Sequence, residues 1–153
     1  EQFPNRTNAF QFDTDTRNIF ICADSKRLLS AFLELLSNAA EADNSCGSIQ
    51  IHSHVNACGH TVTVSVTGKG SLSEINPSEM QTNPLIDADA PLTAQLSTPF
   101  FSTKENHAGL GLSIVAQVCH THHAGFELYS RNGFTTAGIT FPILAMDDMR
   151  NTI

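Results

Sequence analysis

A chain of 153 residues, 41% apolar and 15% charged, is the size of one domain with a real core, and it has no apolar run near the roughly 20 residues of a membrane span. Its formal charge of −7, with 15 acids against 8 bases, excludes a nucleic-acid footprint, so any phosphate it binds must be held locally. The four cysteines, Cys22, Cys46, Cys58 and Cys119, show no C-x-x-C spacing, which favours reduced thiols in a cytoplasmic compartment over a disulfide or zinc framework; neither a signal peptide nor an anchor is seen.

Residues 1–16 are polar and turn-rich and read as an N-terminal linker. The short apolar run 18–22 reads as the first strand. Asp24 or Ser25 then caps a helix over about 26–42. On a helical wheel Leu28, Leu29, Phe32, Leu33, Leu35, Leu36, Ala39 and Ala40 fall on one side, while Arg27, Glu34, Ser37, Asn38 and Glu41 fall on the other, a polar face that the core does not need. Two strands are predicted next, over 48–56 and 61–66, joined by a turn through Cys58-Gly59. After Thr67-Gly68-Lys69-Gly70 comes a long stretch, 71–98, with three prolines and no sustained period, which reads as a lid.

The stretch from Pro99 to Val115 organises the rest. A loop carrying Lys104 enters a Gly-x-Gly step at Gly109, Leu110 and Gly111 and passes directly into an apolar helix over about 110–123. Free backbone N–H groups and the positive end of a helix dipole would meet there, a place to hold phosphate. Taken alone, the same residues fit a glycine-eased loop entering a core helix. Ala124-Gly125 is a suitable stop, and 126–130 with 135–143 read as a hairpin about Arg131-Asn132-Gly133. Two helices on one face of a largely antiparallel sheet make an α+β, two-layer sandwich.

The order of these motifs resembles the ATP-binding catalytic domain of sensor histidine kinases, within the wider group of gyrase-, Hsp90- and MutL-like ATPases with the Bergerat fold. Glu34-Leu35-Leu36-Ser37-Asn38-Ala39-Ala40-Glu41-Ala42 looks like the N box. Pro99-Phe100-Phe101-Ser102-Thr103-Lys104 looks like the F box, Gly109-Leu110-Gly111 resembles the second glycine box, and Gly138-Ile139-Thr140-Phe141 resembles the terminal glycine-threonine motif. The resemblance implies a mixed, mostly antiparallel sheet over a domain at 17–145, with 146–153 as a C-terminal tail. It implies ATP and Mg2+ as ligands, Asn38 as a magnesium ligand, Glu34 as general base, and Val66, Gly68, Gly70, Lys104, Gly109, Leu110, Gly111 and Thr140 with Asn38 around the nucleotide. Glu34 and Asn38 are i, i+4 and share a helix face, so a carboxylate and an amide oxygen stand together as hard-cation donors.

The pattern departs from the family at one chemically important place. The first glycine box carries an aspartate that accepts a hydrogen bond from the adenine amino group, and Val66 stands there, ahead of Thr67-Gly68-Lys69-Gly70. A hydrogen bond to a charged acceptor is worth about 1.5–3 kcal/mol, so ATP affinity is expected to fall by about one to two powers of ten. Thr67 would point to the opposite face of its strand and is a poor substitute. His107 and Ile139 also replace usual motif residues, and the lid acids Glu74, Glu79, Asp87 and Asp89 repel a triphosphate.

None of the seven histidines sits in a His-Glu or His-Asp helical context, so the resemblance places the phosphoacceptor on a separate dimerisation domain, with a response regulator as the further partner. His52 and His54 on a strand, and His120, His122 and His123 at a helix end, lack a strong zinc spacing; a helix dipole accounts for the second group. Two readings follow. One is the ATP-binding catalytic domain of a kinase, supported by Glu34, Asn38, Lys104 and the glycine pair; the other, favoured by Val66, is a degenerate docking module that binds nucleotide weakly or not at all. Neither involves nucleic acid or a membrane contact. A gyrase- or MutL-type clamp would need a transducer domain that 153 residues do not hold.

Overall fold

Alternation along one central strand decides how the layers divide. In the computed structural model, which describes residues 10–14, 19–42, 47–70 and 110–144, β3 (Thr61–Lys69) pairs antiparallel with β2 (Ile49–Val55) on one side and β5 (Phe134–Pro142) on the other. Its register sets Val66 between Ile51 and Ala137, and Val62 between Val55 and Phe141. This apolar face is covered by α1 (Ser25–Ala42) and α2 (Gly111–Thr121), and the core joins Ile49, Val62, Val66, Ala137, Ile139 and Phe141 to Ala31 and Leu35 of α1 and to Val115, Val118 and Cys119 of α2. The reverse face is hydroxyl-rich: Thr63 and Thr140 bond at 2.8 Å, and Thr67 and Thr136 at 2.9 Å.

Two further strands complete the sheet, β1 (Phe10–Thr14) beside β2 and β4 (Gly125–Arg131) beside β5, giving the order β1-β2-β3-β5-β4. All pairs are antiparallel except β1 with β2. This is the α+β, mixed-sheet, two-layer architecture that the motif order implied.

The turns follow from their residues. Asp24 caps α1, its Oδ1 accepting from the backbone N–H groups of Lys26 at 2.9 Å and Arg27 at 3.2 Å. Asn56 closes the β2–β3 connection by accepting from the N–H groups of His60 and Thr61 through Oδ1, while Gly59 takes φ +70°. In the β4–β5 hairpin Asn132 and Gly133 both have positive φ, 54° and 78°, the requirement of a two-residue turn that matches the strand twist.

Three sequence expectations are corrected. Phe10–Thr14 is an edge strand rather than linker; all five of its residues are exposed, so no buried alternation marked it. The run at 19–22 is not a strand: Ile19 and Ile21 pack against the core, and Phe20 accepts one hydrogen bond from Leu144 N–H at 2.9 Å, without a ladder. Helix α2 stops through His123, at φ 51°, rather than through Gly125: Ala124 N–H reaches Cys119 O at 2.8 Å and His123 N–H reaches His120 O at 3.3 Å, a Schellman closure. The lid at 71–98 and the tail at 146–153 lie outside the described residues.

Candidate functional site

The polar flank of α1 meets the start of α2. Gly111, the first residue of α2, lies so close to Glu34 that a β-carbon built on it would stand 2.8 Å from Glu34 Oε2 and 3.6 Å from Asn38 Nδ2. The i, i+4 spacing on α1 therefore presents both side chains to one helix terminus, as expected. Among the described residues that terminus has no side-chain cap: Leu110 occupies the N-cap position at φ −100° and ψ −16°, is 39% exposed, and makes no side-chain hydrogen bond to the first turn. Backbone N–H groups and a helix dipole without an acidic residue in the first turn suit an anion. A carboxylate and an amide oxygen alongside suit a hard divalent cation.

The end of β3 forms the second wall. Gly68 lies against the α1 backbone, where a β-carbon would come within 2.9 Å of Ala39 Cβ and 3.2 Å of Ala39 Cα and O. Only glycine lets the strand approach the helix here, one residue beyond Asn38. Gly70, at φ +149°, donates its N–H to Gly133 O at 2.9 Å, and its own carbonyl accepts from Thr135 Oγ1 at 3.1 Å, which ties the strand end to the β4–β5 hairpin. Ala39 and Ala42 were read from sequence as part of the N box but not as site residues; small residues at i, i+3 on that helix, opposite a Gly-x-Gly, were the available signal.

Val66 faces the helices, as an N-box-side residue must, and is 2% exposed within the core. Thr67 points to the reverse face, so its hydroxyl does not replace a carboxylate at Val66. Thr140 does not join the site: it is spent on Thr63 on that same reverse face, while its neighbour Ile139, 0% exposed, faces inward. The period of two along β5 decides this, and the expectation for Thr140 is corrected. Lys104 and Gly109 lie outside the described residues.

His52 Nε2 lies 3.9 Å from Asp13 Oδ2, and the His52 and His54 rings are 5.4 Å apart. Among the described residues no group of three or more His, Cys, Asp or Glu is placed to hold a metal, and no helix is long and apolar enough to cross a membrane.

An uncapped helix terminus beside a Glu/Asn pair, walled by a glycine-ended strand on a mixed sheet, defines a class. The chain belongs to the family of histidine kinase-, DNA gyrase B- and HSP90-like ATPases, whose family model matches residues 23–145. Within it, the chain is an ATP-binding catalytic domain of the sensor histidine kinase kind. It is 33% identical over 127 residues to the sensory histidine kinase/phosphatase NtrB of Rhizobium leguminosarum bv. phaseoli, covering 80% of this chain and 32% of the relative. The NtrB of Rhodobacter capsulatus is 28% identical over 120 residues, covering 78% and 33%. The chain thus spans about a third of the length of these relatives. Among solved structures, the nucleotide-free catalytic domain of histidine kinase ThkA superposes with a TM-score of 0.66 at 28% identity, covering 88% of this chain and 78% of that one. ThkA is also known in complex with the response regulator protein TrrA, at a TM-score of 0.63 and 26% identity, covering 88% and 34%.

Proposed function

We propose that this chain is the nucleotide-binding part of a two-component sensor kinase, one that holds ATP·Mg2+ by its phosphates and holds adenine poorly. Bound ATP would supply the γ-phosphate for transfer to a histidine on a separate dimerisation domain, and from there to a response regulator. Asn38 would give its amide oxygen to the magnesium ion, and Glu34 would orient or deprotonate the acceptor. The N–H groups at Leu110 and Gly111, with Gly109 and Lys104, would neutralise phosphate charge, since catalysis of phosphoryl transfer is mostly positioning and charge neutralisation. Gly68 and Gly70, packed on Ala39 and Ala42 of α1, would hold the end of β3 beside the nucleotide. The regulator as partner is supported by the ThkA–TrrA complex, a property of that relative.

The observation that carries the weak-adenine reading is the burial of Val66 in the helix-facing layer, between Ile51 and Ala137, with Gly68 two residues on. A methyl-lined position offers an adenine amine no acceptor, and an unpaired buried donor costs about 1–3 kcal/mol. Calorimetric titration with ATP and GTP, with and without Mg2+, tests this. Weak, magnesium-dependent binding that scarcely separates ATP from GTP is expected, with Val66→Asp strengthening ATP binding by about tenfold or more. Tight, adenine-selective binding by the natural chain would show that another group reads the base. Val66 also favours a second reading, a docking module of the same fold, and absence of binding by both proteins would put that reading first.

A further inference from the structure

We infer that His122 is a positioning residue for the nucleotide site: it clamps the end of α2 to the start of α1 and so sets where the N-terminus of α2 stands against Glu34 and Asn38. The inference rests on the site reading above for its functional consequence, but not for its geometry.

His122 follows the last residue of α2 and bridges two backbones. Its Nε2 accepts from the N–H of Asp24 at 2.9 Å, and its Nδ1 lies 2.7 Å from the carbonyl oxygen of Val118. Each partner has one role only: an amide N–H donates and a carbonyl accepts. The ring must therefore be neutral, with its proton on Nδ1, because no other form makes both bonds. Thr121 Oγ1, 3.2 Å from Nδ1, also bonds the Val118 carbonyl, at 3.0 Å. The same Asp24 caps α1, so the imidazole is attached to the residue where α1 begins.

The two helices run antiparallel, and this is where the clamp gains leverage. Helix α2 has 11 residues, about 16 Å at 1.5 Å per residue. From Asp24 to the Glu34–Asn38 pair along α1 is about 15–21 Å by the same rise. The spans match: with His122 against Asp24, Gly111 falls beside Glu34, where its approach is already at contact. Between these ends the helices meet through apolar side chains such as Ala31, Leu35, Val115 and Val118, whose attraction is non-directional and resists sliding weakly. The directional contact at the His122 end, with the close approach of Gly111 to Glu34 at the other, fixes the axial register. Loss of the His122 contact frees α2 to shift along α1, which moves its N-terminal N–H groups away from Glu34 and Asn38.

Nitrogen-15 NMR of the whole chain tests the geometry first. At pH 8 the His122 ring is expected in the Nδ1–H tautomer; an Nε2–H tautomer, the commoner one for a free imidazole, would overturn the clamp. His122→Phe and His122→Ala are then compared with His120→Ala, a change at an exposed neighbour. With the clamp correct, the His122 variants move the amide of Gly111 and the side-chain amide of Asn38 as well as the amide of Asp24, and the His120 variant moves none of them. A change confined to Asp24 would show a local cap contact and sink the inference. Calorimetry supplies the functional readout: the His122 variants bind MgATP at least threefold more weakly, and His120→Ala binds unchanged. Should the natural chain bind no nucleotide, the site reading fails, and the tautomer and the Gly111 shift still decide the clamp.

Discussion

Gly111 and Glu34 touch across the α1–α2 interface in a way that forbids any side chain on the glycine without moving the carboxylate: a β-carbon would be 2.8 Å from Glu34 Oε2. The obstructing atom is the far end of a flexible side chain, so Gly111→Ala is expected to cost less than about 1 kcal/mol of stability, since alanine also favours a helix. It displaces Glu34 all the same, and MgATP binding should weaken severalfold. Gly68→Ala contrasts with it, because its β-carbon meets the Ala39 backbone at 3.2 Å and Ala39 Cβ at 2.9 Å, atoms that cannot rotate away. A loss of about 1–3 kcal/mol in urea unfolding is expected there. Equal destabilisation by the two changes would show that Glu34 is held rigidly.

Val66→Asp should separate stability from recognition. The position is 2% exposed among Ile51, Ala137 and the helix core, so a carboxylate placed there without a partner is expected to cost about 2–4 kcal/mol. Thermal unfolding measured with and without MgATP checks this. The variant should melt lower than the natural chain when alone and recover more of the difference as ATP is added. No recovery at saturating nucleotide would argue that the aspartate does not meet the base.

Asp24 makes stability depend on acid pH. Its carboxyl is held below the ordinary value of 3.8 first by the backbone N–H of Arg27, with the Lys26 N–H and the Arg27 guanidinium assisting against partial desolvation. A depressed native value means the unfolded chain binds the proton first. The contribution is therefore present above the ordinary carboxylate range and is lost as pH falls through the lower native value. Asp24→Asn keeps an oxygen for the cap and should lose this limb of the melting-temperature profile, whereas Asp24→Ala should melt lower at neutral pH as well. An unchanged acid limb in Asp24→Asn would assign it to other carboxylates.

Cys119 should be the inert thiol among the described cysteines. It is 3% exposed in the core, and desolvation pushes it up to about 11, while Cys22 and Cys58 are exposed. A thiol reagent at pH 8 is expected to modify Cys22 and Cys58 at once and Cys119 only on unfolding. The same shift predicts that stability contributed by the neutral thiol is full below the ordinary thiol value of 9.0 and declines as pH rises toward about 11. Fast labelling of Cys119 in the native chain would mean that the α2 face opens readily.

Periodicity and local chemistry determined most of this fold from sequence alone. Helix α1, strands β2 to β5 and the Asn132-Gly133 turn were legible because a buried stripe repeats at 3.6 or 2 residues, and because positive φ calls for asparagine and glycine. The Glu34/Asn38 pair was legible because a helix puts i and i+4 on one face. Strand β1 was not, since an exposed edge strand is defined by its partner β2 and leaves no buried pattern of its own. Tertiary structure decided which candidates converge. Pairing of β3 with β5 set Thr140 against Thr63, and only the packing of α2 on α1 brought Gly111 to Glu34 and His122 to Asp24. Such contacts join residues about 75 to 100 positions apart, and no local period in a chain encodes a distance of that kind.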